Sequence, residues 1–103
     1  MSAKGSENVK QLRTIGHKLK PVVTIAGNGL TESVLAELVR ALKDHELIKI
    51  KLAVGSREAR AEVLEQVCEQ TGAQQIQRIG NTALLLLRSA KPDPRLSNLV
   101  KPA

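Results

Sequence analysis

Hydrophobic positions along this chain switch between the three-to-four-residue spacing typical of helices and the alternation typical of strands. Helical spacing near the N-terminus predicts a short amphipathic helix that begins near Ser6 and ends around Gly16-His17. A β-branched apolar run over residues 22–25 then predicts the first strand, whose entry is fixed by Pro21. The apolar positions of the first helix are Val9, Leu12, Ile15 and Leu19.

A second helix is predicted from Thr31 to about Asp44, because its apolar residues form one stripe. Beyond it, residues 47–52 alternate Ile and Leu with lysine, which predicts a strand with one solvated, basic face. The apolar stripe of the second helix consists of Val34, Leu35, Leu38, Val39 and Leu42.

The last part of the folded region is predicted to end in a hairpin. Gly80-Asn81 is typical of a tight turn, and the unbroken leucines at 84–87 predict a central strand that is buried on both faces. The order helix, strand, helix, strand, helix, strand, strand predicts an α/β fold of two layers. The remaining predicted elements are a third helix over about 57–71, which Ser56 caps and Gly72 ends, and strands at about 74–79 and 82–88.

A glycine pair joins the first strand to the second helix. Gly27 and Gly29 allow backbone angles that other residues resist, and Thr31 is a residue type favoured as an N-cap. The free amides and partial positive charge of such a helix start favour a phosphate or carboxylate. An ordinary strand-to-helix turn is the alternative explanation of the same pattern.

Length and composition predict one domain over residues 1–90, with a frayed segment at 1–5 and an extended tail at 91–103. Three apolar tail residues could dock on the domain. No apolar run reaches the roughly 18 residues of a membrane span, and no secretion signal is evident, so we expect a cytoplasmic protein. The single Cys68 excludes an internal disulfide and lacks partners for zinc, so we expect it to pack and expect no cofactor. The tail residues are Leu96, Leu99 and Val100.

Charge and aromatic content narrow the class of partner. The net charge of +6 and the pI near 9.9 favour an anionic partner, most often nucleic acid. Because the aromatic content is 0%, the chain has no side chains on which unstacked bases could stack. Contacts would therefore go to phosphates, sugars and overall shape.

The basic residues are expected to gather at one edge of the sheet. Parallel strands joined by helical crossovers would place residues 26–31, 56–60 and 78–81 at the same edge. A first helix antiparallel to the first strand would bring Lys4 and Lys10 there. Lys49 and Lys51 would lie on the adjoining open face, which completes a basic rim around the glycine loop.

Several motifs in this order and spacing closely resemble the chloroplast RNA splicing and ribosome maturation (CRM) domain, and in particular its bacterial stand-alone YhbY-type members. The resemblance spans about residues 8–88. The motifs are Leu-Lys-Pro-Val-Val at 19–23, Gly-Asn-Gly-Leu-Thr-Glu at 27–32, His-Glu-Leu-Ile-Lys at 45–49, Thr-Gly-Ala at 71–73, and Ile-Gly at 79–80 before the strand at 84–88.

The resemblance implies a mixed four-stranded sheet with helices mainly on one face, similar to the C-terminal domain of bacterial translation initiation factor three. It also implies RNA binding and association with precursors of the large ribosomal subunit. The GxxG loop of the family falls on residues 26–29, where Ala26 replaces the first glycine. The candidate RNA-contacting residues are Gly27, Asn28, Gly29, Leu30, Thr31, Lys10, Arg13, Lys18, Lys20, Lys49, Lys51, Arg57, Arg60 and Arg78.

Two other functional classes remain as alternatives. A small phosphate ligand could bind at the Thr31 helix start, although the sequence lacks the Lys-Ser/Thr of a P-loop and a full GxGxxG. A protein adaptor could use the strand at 84–87 and the tail as an apolar surface. Asp44 with His45, or Cys68 with a histidine, is a weak basis for catalysis. We expect a non-enzymatic monomer that binds RNA and neither a membrane nor a small-molecule substrate.

Overall fold

The computed structural model describes residues 3–89, 93 and 95–99, with side chains from residue 9 onward. The predicted order of three helices and four strands is confirmed. None of the helices within these ranges has the length and apolar character needed to cross a membrane. The elements are α1 (Ala3–His17), β1 (Pro21–Ile25), α2 (Glu32–His45), β2 (Leu47–Leu52), α3 (Arg57–Thr71), β3 (Gln74–Ile79) and β4 (Thr82–Leu86).

The four strands form one mixed sheet in the order β1-β2-β4-β3. Strand β1 runs parallel to β2, whereas β4 is antiparallel to both of its neighbours, β2 and β3. Strands β1, β2 and β3 therefore point the same way, and their carboxyl ends lie together. We call this the turn end of the sheet; it holds the loops after β1 and β2 and the β3–β4 turn.

Helices cover both faces of the sheet. On the α2 face, Ile48, Ile50 and Leu52 of β2 join the core formed with α2 and α3. On the opposite α1 face, Leu47 and Leu84 belong to a second cluster with Leu12 of α1. Two of the three helices thus share one face, as expected, but the expectation that the other face stays open is wrong because α1 packs on it.

The close packing of α1 depends on Gly16. A Cβ atom at this position would lie 2.5 Å from Cδ2 of Leu84, which is far inside van der Waals contact. Glycine therefore lets the last turn of α1 rest directly on the central strand β4. Leu12, one turn earlier, belongs to the cluster with Leu47 and Leu86 at the end of the sheet opposite the turn end.

The predicted helix caps are confirmed. The Thr31 hydroxyl accepts a hydrogen bond from Val34 N at 3.2 Å, and the Ser56 hydroxyl accepts one from Ala59 N at 3.1 Å. Gly72 ends α3 in the left-handed conformation, with φ of 81°. These side chains satisfy backbone donors that a helix start would otherwise leave open.

Two predicted element boundaries and one position in a predicted apolar stripe differ in the structure. Helix α1 begins at Ala3 rather than Ser6; of the segment expected to fray, residues 1 and 2 lie outside the described ranges. Strand β4 ends at Leu86 rather than Arg88. Leu87 N still donates to Glu46 O at 2.8 Å, but Glu46, with φ of 63°, is not extended and ends the pairing with β2. Val39 is 46% exposed, since it lies about 100° around α2 from the buried Leu38.

The junction between α2 and β2 is built around a buried carboxylate. Glu46 is only 3% exposed and has φ of 63°, a rare backbone angle for a residue other than glycine. Its Oε1 accepts from the Ser97 hydroxyl at 2.6 Å and its Oε2 accepts from Ser89 N at 2.5 Å. The C-terminal segment is thereby attached to the end of α2.

Further polar contacts hold the same segment in place. Asn98 Nδ2 donates to Leu47 O at 2.7 Å and Asn98 N donates to His45 O at 2.9 Å. His45 Nδ1 lies 2.7 Å from Leu96 O, so this nitrogen carries the proton. The tail was expected to dock through apolar residues; Leu99 does pack beside α1, but Leu96 is 39% exposed and Val100 lies outside the described ranges.

Candidate nucleic-acid interface

The glycine loop is a hydrogen-bonded turn. Gly29 N donates to Ala26 O at 2.9 Å, and Gly29 takes a φ of 76°, which explains the glycine at that position. Ala26 has no positive φ, so alanine fits where the family pattern has its first glycine. Gly27 also has no positive φ, and a Cβ there would meet nothing within 4 Å. The loop therefore faces open space, as a ligand-binding loop must.

The start of α2 offers fewer free donors than the sequence suggested. Thr31 already satisfies Val34 N through its hydroxyl and Leu35 N, at 2.8 Å, through its carbonyl oxygen. The Glu32 carboxylate lies in the first helical turn, where it offsets part of the positive end of the helix. Any anion at this loop would consequently depend on cations from elsewhere as well as on the helix start.

The predicted meeting of three loops at one edge is confirmed. Ala53 N donates to Ile25 O at 2.7 Å, which ties the loop after β2 to the end of β1. Leu52 N donates to Asn81 O at 2.6 Å, which ties the end of β2 to the β3–β4 turn. Gly80 has φ of 58°, as the first central residue of a type II′ turn requires. The turn end is thus one continuous structure.

Three predicted arginines lie near the turn end on the α2 face or at the start of α3. Arg57 is exposed in the first turn of α3, and Arg78 is exposed opposite Ala83, whose side chain joins the core on the α2 face. Arg60 is half-buried, and its Nε is buried without a hydrogen-bond partner among the described residues. Arg57 and Arg78 are therefore available to a ligand, and Arg60 is partly withdrawn.

The two predicted lysines of β2 lie on the α1 face. Lys51 is exposed, whereas Lys49 is half-buried in a depression that it shares with Gly16 and His17 of α1. The expectation that both lie on an open face is wrong for Lys49, because α1 covers that part of the sheet. Lys49 instead faces the groove beside the end of the helix.

Helix α1 runs the opposite way to the prediction. Its last residues, Gly16 and His17, lie beside Ile79 and Thr82, which flank the β3–β4 turn. The amino-terminal half therefore does not reach the glycine loop, and the reason is that Leu12 packs toward the other end of the sheet. Lys10 is exposed on that half, and the side chain of Lys4 lies outside the described positions.

The carboxyl-terminal part of α1 forms a basic groove with β3. Arg13 and Lys18 are exposed there, and they line a depression with Gln77 and Ile79. No carboxylate of the described residues lines this depression or the adjoining one that contains Lys49. Lys20, also exposed, follows α1 and leads into the edge strand β1.

Sequence reasoning missed a row of four residues on the α1 face that helix α1 leaves largely uncovered at the turn end. Thr24, Lys51, Thr82 and Ile79 are register partners, one on each strand in spatial order. Thr24 and Lys51 are exposed, Thr82 is half-buried, and Ile79 is 63% exposed. Thr24 between Val23 and Ile25, and the lysines that alternate with apolar residues in β2, were the available signals, but the row depends on register, which local patterns do not give.

Two of the groups considered for catalysis, His45 and Cys68, make structural contacts. His45 is occupied by the Leu96 carbonyl, and burial raises the pKa of the Cys68 thiol, which leaves it a poorer nucleophile. Groups of three or more His, Cys, Asp or Glu suited to a metal ion do not occur in the described ranges. The strand at residues 84–87 does not offer the apolar surface that the adaptor alternative needs, because Leu84 and Leu85 are buried in the two cores.

Comparison with known proteins matches this chain to one family model and to bacterial relatives that are named as RNA-binding proteins. Residues 5–86 match the family model of the CRS1 / YhbY (CRM) domain. A probable RNA-binding protein of Pseudomonas aeruginosa is 52% identical over 93 residues, which cover 90% of this chain and 89% of the relative. An RNA-binding protein of Haemophilus influenzae is 41% identical over 85 residues, covering 82% of this chain and 86% of the relative.

A solved structure has the same fold. The solution structure of a protein from Staphylococcus aureus superposes with a TM-score of 0.73 at 24% identity, covering 82% of this chain and 88% of the other. At this identity the likeness concerns the fold, and it agrees with the arrangement of helices around a mixed sheet described above.

Proposed function

The chain belongs to the CRS1/YhbY (CRM) domain family, and from this premise we propose that it binds RNA through the phosphate backbone. The bacterial relatives that carry RNA-binding names support the class of partner. The glycine loop and the cations of the α1 face would make the contacts. No step of this function requires a bond to be made or broken.

The observation that carries the proposal is the segregation of charge between the two faces of the sheet. Helices α2 and α3 carry seven of the ten acidic residues of the chain. The groove between α1 and β3 has cations and no carboxylate among its described lining residues. A surface of this kind attracts polyanions, and the absence of aromatic residues leaves phosphates and sugars as the contacts. The seven acidic residues are Glu32, Glu37, Asp44, Glu58, Glu62, Glu65 and Glu69.

We further propose that the RNA is ribosomal RNA in precursors of the large subunit, which would make the protein a ribosome assembly factor. This step rests on the resemblance of its motifs to the YhbY-type members of the family. Sucrose-gradient sedimentation of cell extracts tests it, with the tagged chain followed by immunoblotting. Co-migration with large-subunit precursors and not with mature subunits is expected; uniform recovery in the free fraction would contradict it.

The role of the glycine loop is tested by a substitution at Gly29. Because the loop faces open space, Gly29→Asp would place a carboxylate where a phosphate is proposed to lie, and should weaken binding by about 1–3 kcal/mol. Gly29→Asn is the matched control, since asparagine tolerates the φ of 76° without adding charge. Filter binding with a structured RNA measures both.

The expected result is a loss of affinity in Gly29→Asp that Gly29→Asn does not share. If both variants fold and bind like the parent, the loop is only a turn and the contacts lie on the α1 face. Tight binding of inorganic phosphate with no binding of RNA would favour the alternative of a small phosphate-ligand module.

A further inference from the structure

The row of four register partners on the α1 face indicates which form of RNA the site accepts. Thr24, Lys51, Thr82 and Ile79 cross all four strands in a straight register. Three strand spacings make this row about 14 Å long. Helix α1 rests on Leu84, two residues further along β4, and its last residues border the half-buried Thr82, while Thr24, Lys51 and Ile79 stay exposed.

Each end of the row adjoins a group that could hold a phosphate. Next to the β1 end, Thr24 leads directly into the glycine loop, which begins two residues later. At the β3 end, Ile79 borders the groove that Arg13 and Lys18 line. The row thus separates two backbone-binding regions, and Lys51 lies between them.

Apart from Lys51, the side chains between these two regions are short and uncharged. Thr24 presents an exposed hydroxyl, and the Thr82 hydroxyl donates to Ile79 O at 3.0 Å while its oxygen can still accept. Gln77 lines both neighbouring depressions and adds an amide. Hydroxyl and amide groups are suited to the ribose 2′-hydroxyl, which both donates and accepts hydrogen bonds.

From this arrangement, which rests on the proposed RNA binding, we infer that the protein binds double-stranded RNA by laying the row Thr24–Lys51–Thr82–Ile79 against the minor groove. The glycine loop contacts the phosphate backbone of one RNA strand, and the groove between α1 and β3 contacts that of the other strand. A-form RNA has a wide, shallow minor groove lined with 2′-hydroxyls, so a sheet surface can lie against it.

The dimensions of the row argue against the other nucleic acids. The minor groove of B-form DNA is about 6 Å wide, too narrow for a sheet surface about 14 Å across. Single-stranded RNA is held mainly by stacking on aromatic side chains, and this chain has none. Duplex RNA is therefore the form that suits the surface.

The test compares four probes of one sequence by fluorescence anisotropy at one salt concentration: an RNA duplex, the same duplex with 2′-O-methyl groups, the DNA duplex, and the single RNA strand. The parent should prefer the RNA duplex over the other three by roughly tenfold. Thr24→Val removes the hydroxyl at constant shape, and should cost about three- to tenfold on the RNA duplex and little on the methylated one.

Thr24→Ser is the matched control, because it keeps the hydroxyl and should keep the preference for unmodified duplex RNA. Thermal melting of both variants checks that the edge strand is intact. Thr24 is the position of choice because Thr82 also supports the β3–β4 turn.

The outcomes separate this inference from the proposed function. Tighter binding of the single strand, or equal binding of all duplexes by the parent and both variants, would overturn the duplex inference while RNA binding stands. Failure to bind any of the RNA probes at low salt would overturn both. Loss of the preference in Thr24→Val with retention in Thr24→Ser would support the inference.

Discussion

At the scale of single residues, the cap and turn positions were predictable and Glu46 was not. Thr31, Ser56 and Gly72 act through neighbours within four residues, so their types in sequence are sufficient. Glu46 bonds to Ser89 and Ser97, which are 43 and 51 residues away, and no local pattern indicates such partners. Its only signal was the break of the helical pattern at His45-Glu46.

The buried carboxylate of Glu46 should contribute measurably to stability. Glu46→Gln keeps the shape but replaces hydrogen bonds to a carboxylate by weaker hydrogen bonds to a neutral amide, and should lower the free energy of unfolding by about 1–3 kcal/mol. For a domain of this size that corresponds to a fall in Tm of roughly 4–20 °C. Thermal denaturation followed by circular dichroism measures the change.

Glu62→Gln on the exposed side of α3 is the matched control and should lie within about 0.5 kcal/mol of the parent. Ser97→Ala combined with Glu46→Gln should cost less than the sum of the single changes, because both act on the same bond. Equal melting of Glu46→Gln and Glu62→Gln would show that the junction is not held by this carboxylate.

At the scale of elements, the periodicity located every helix and strand, yet it did not give the direction of α1. Hydrophobic spacing tells which side of a helix is buried, but the direction in which it crosses a sheet depends on distant residues. Here the contact of Gly16 with Leu84 brings the end of α1, rather than its start, to the turn end. Arg13 and Lys18, both candidates from the sequence, therefore lie in a groove with β3, whereas Lys10 lies on α1 away from the turn end.

The contact between Gly16 and Leu84 is tested by adding one methyl group. Gly16→Ala gains about 1 kcal/mol of helix propensity but forces Leu84 aside in a packed cluster, which costs about 1–3 kcal/mol. A net loss of up to about 2 kcal/mol is expected in chemical denaturation. Displacement of α1 should also weaken RNA binding.

Gly27→Ala is the corresponding control, because its Cβ would meet nothing within 4 Å and its φ is not positive. This change should be neutral or stabilising by about 0.4–1 kcal/mol. The packing account fails if Gly16→Ala proves as stable as Gly27→Ala.

At the scale of the whole molecule, composition alone indicated an anionic partner, and the structure adds where it would lie. The net charge of +6 and the lack of aromatic residues can be read from the sequence. The separation of the acidic helices from the basic α1 face cannot be read from the sequence, because it depends on which face of the sheet each helix covers. The cationic residues predicted from the sequence divide between the α1 face and the α2 face instead of forming one rim.

The central claim is that this chain holds RNA by its phosphates, and the salt dependence of affinity tests it most directly. Neutralising about four to six phosphates should lower the affinity for a structured RNA by roughly one and a half to three orders of magnitude between 50 and 200 mM salt. Changing Lys49 and Lys51 together to glutamine should make the logarithmic salt slope shallower by about 1.5 to 2. An affinity that does not change with salt, or a slope that the double substitution leaves unaltered, would contradict the account.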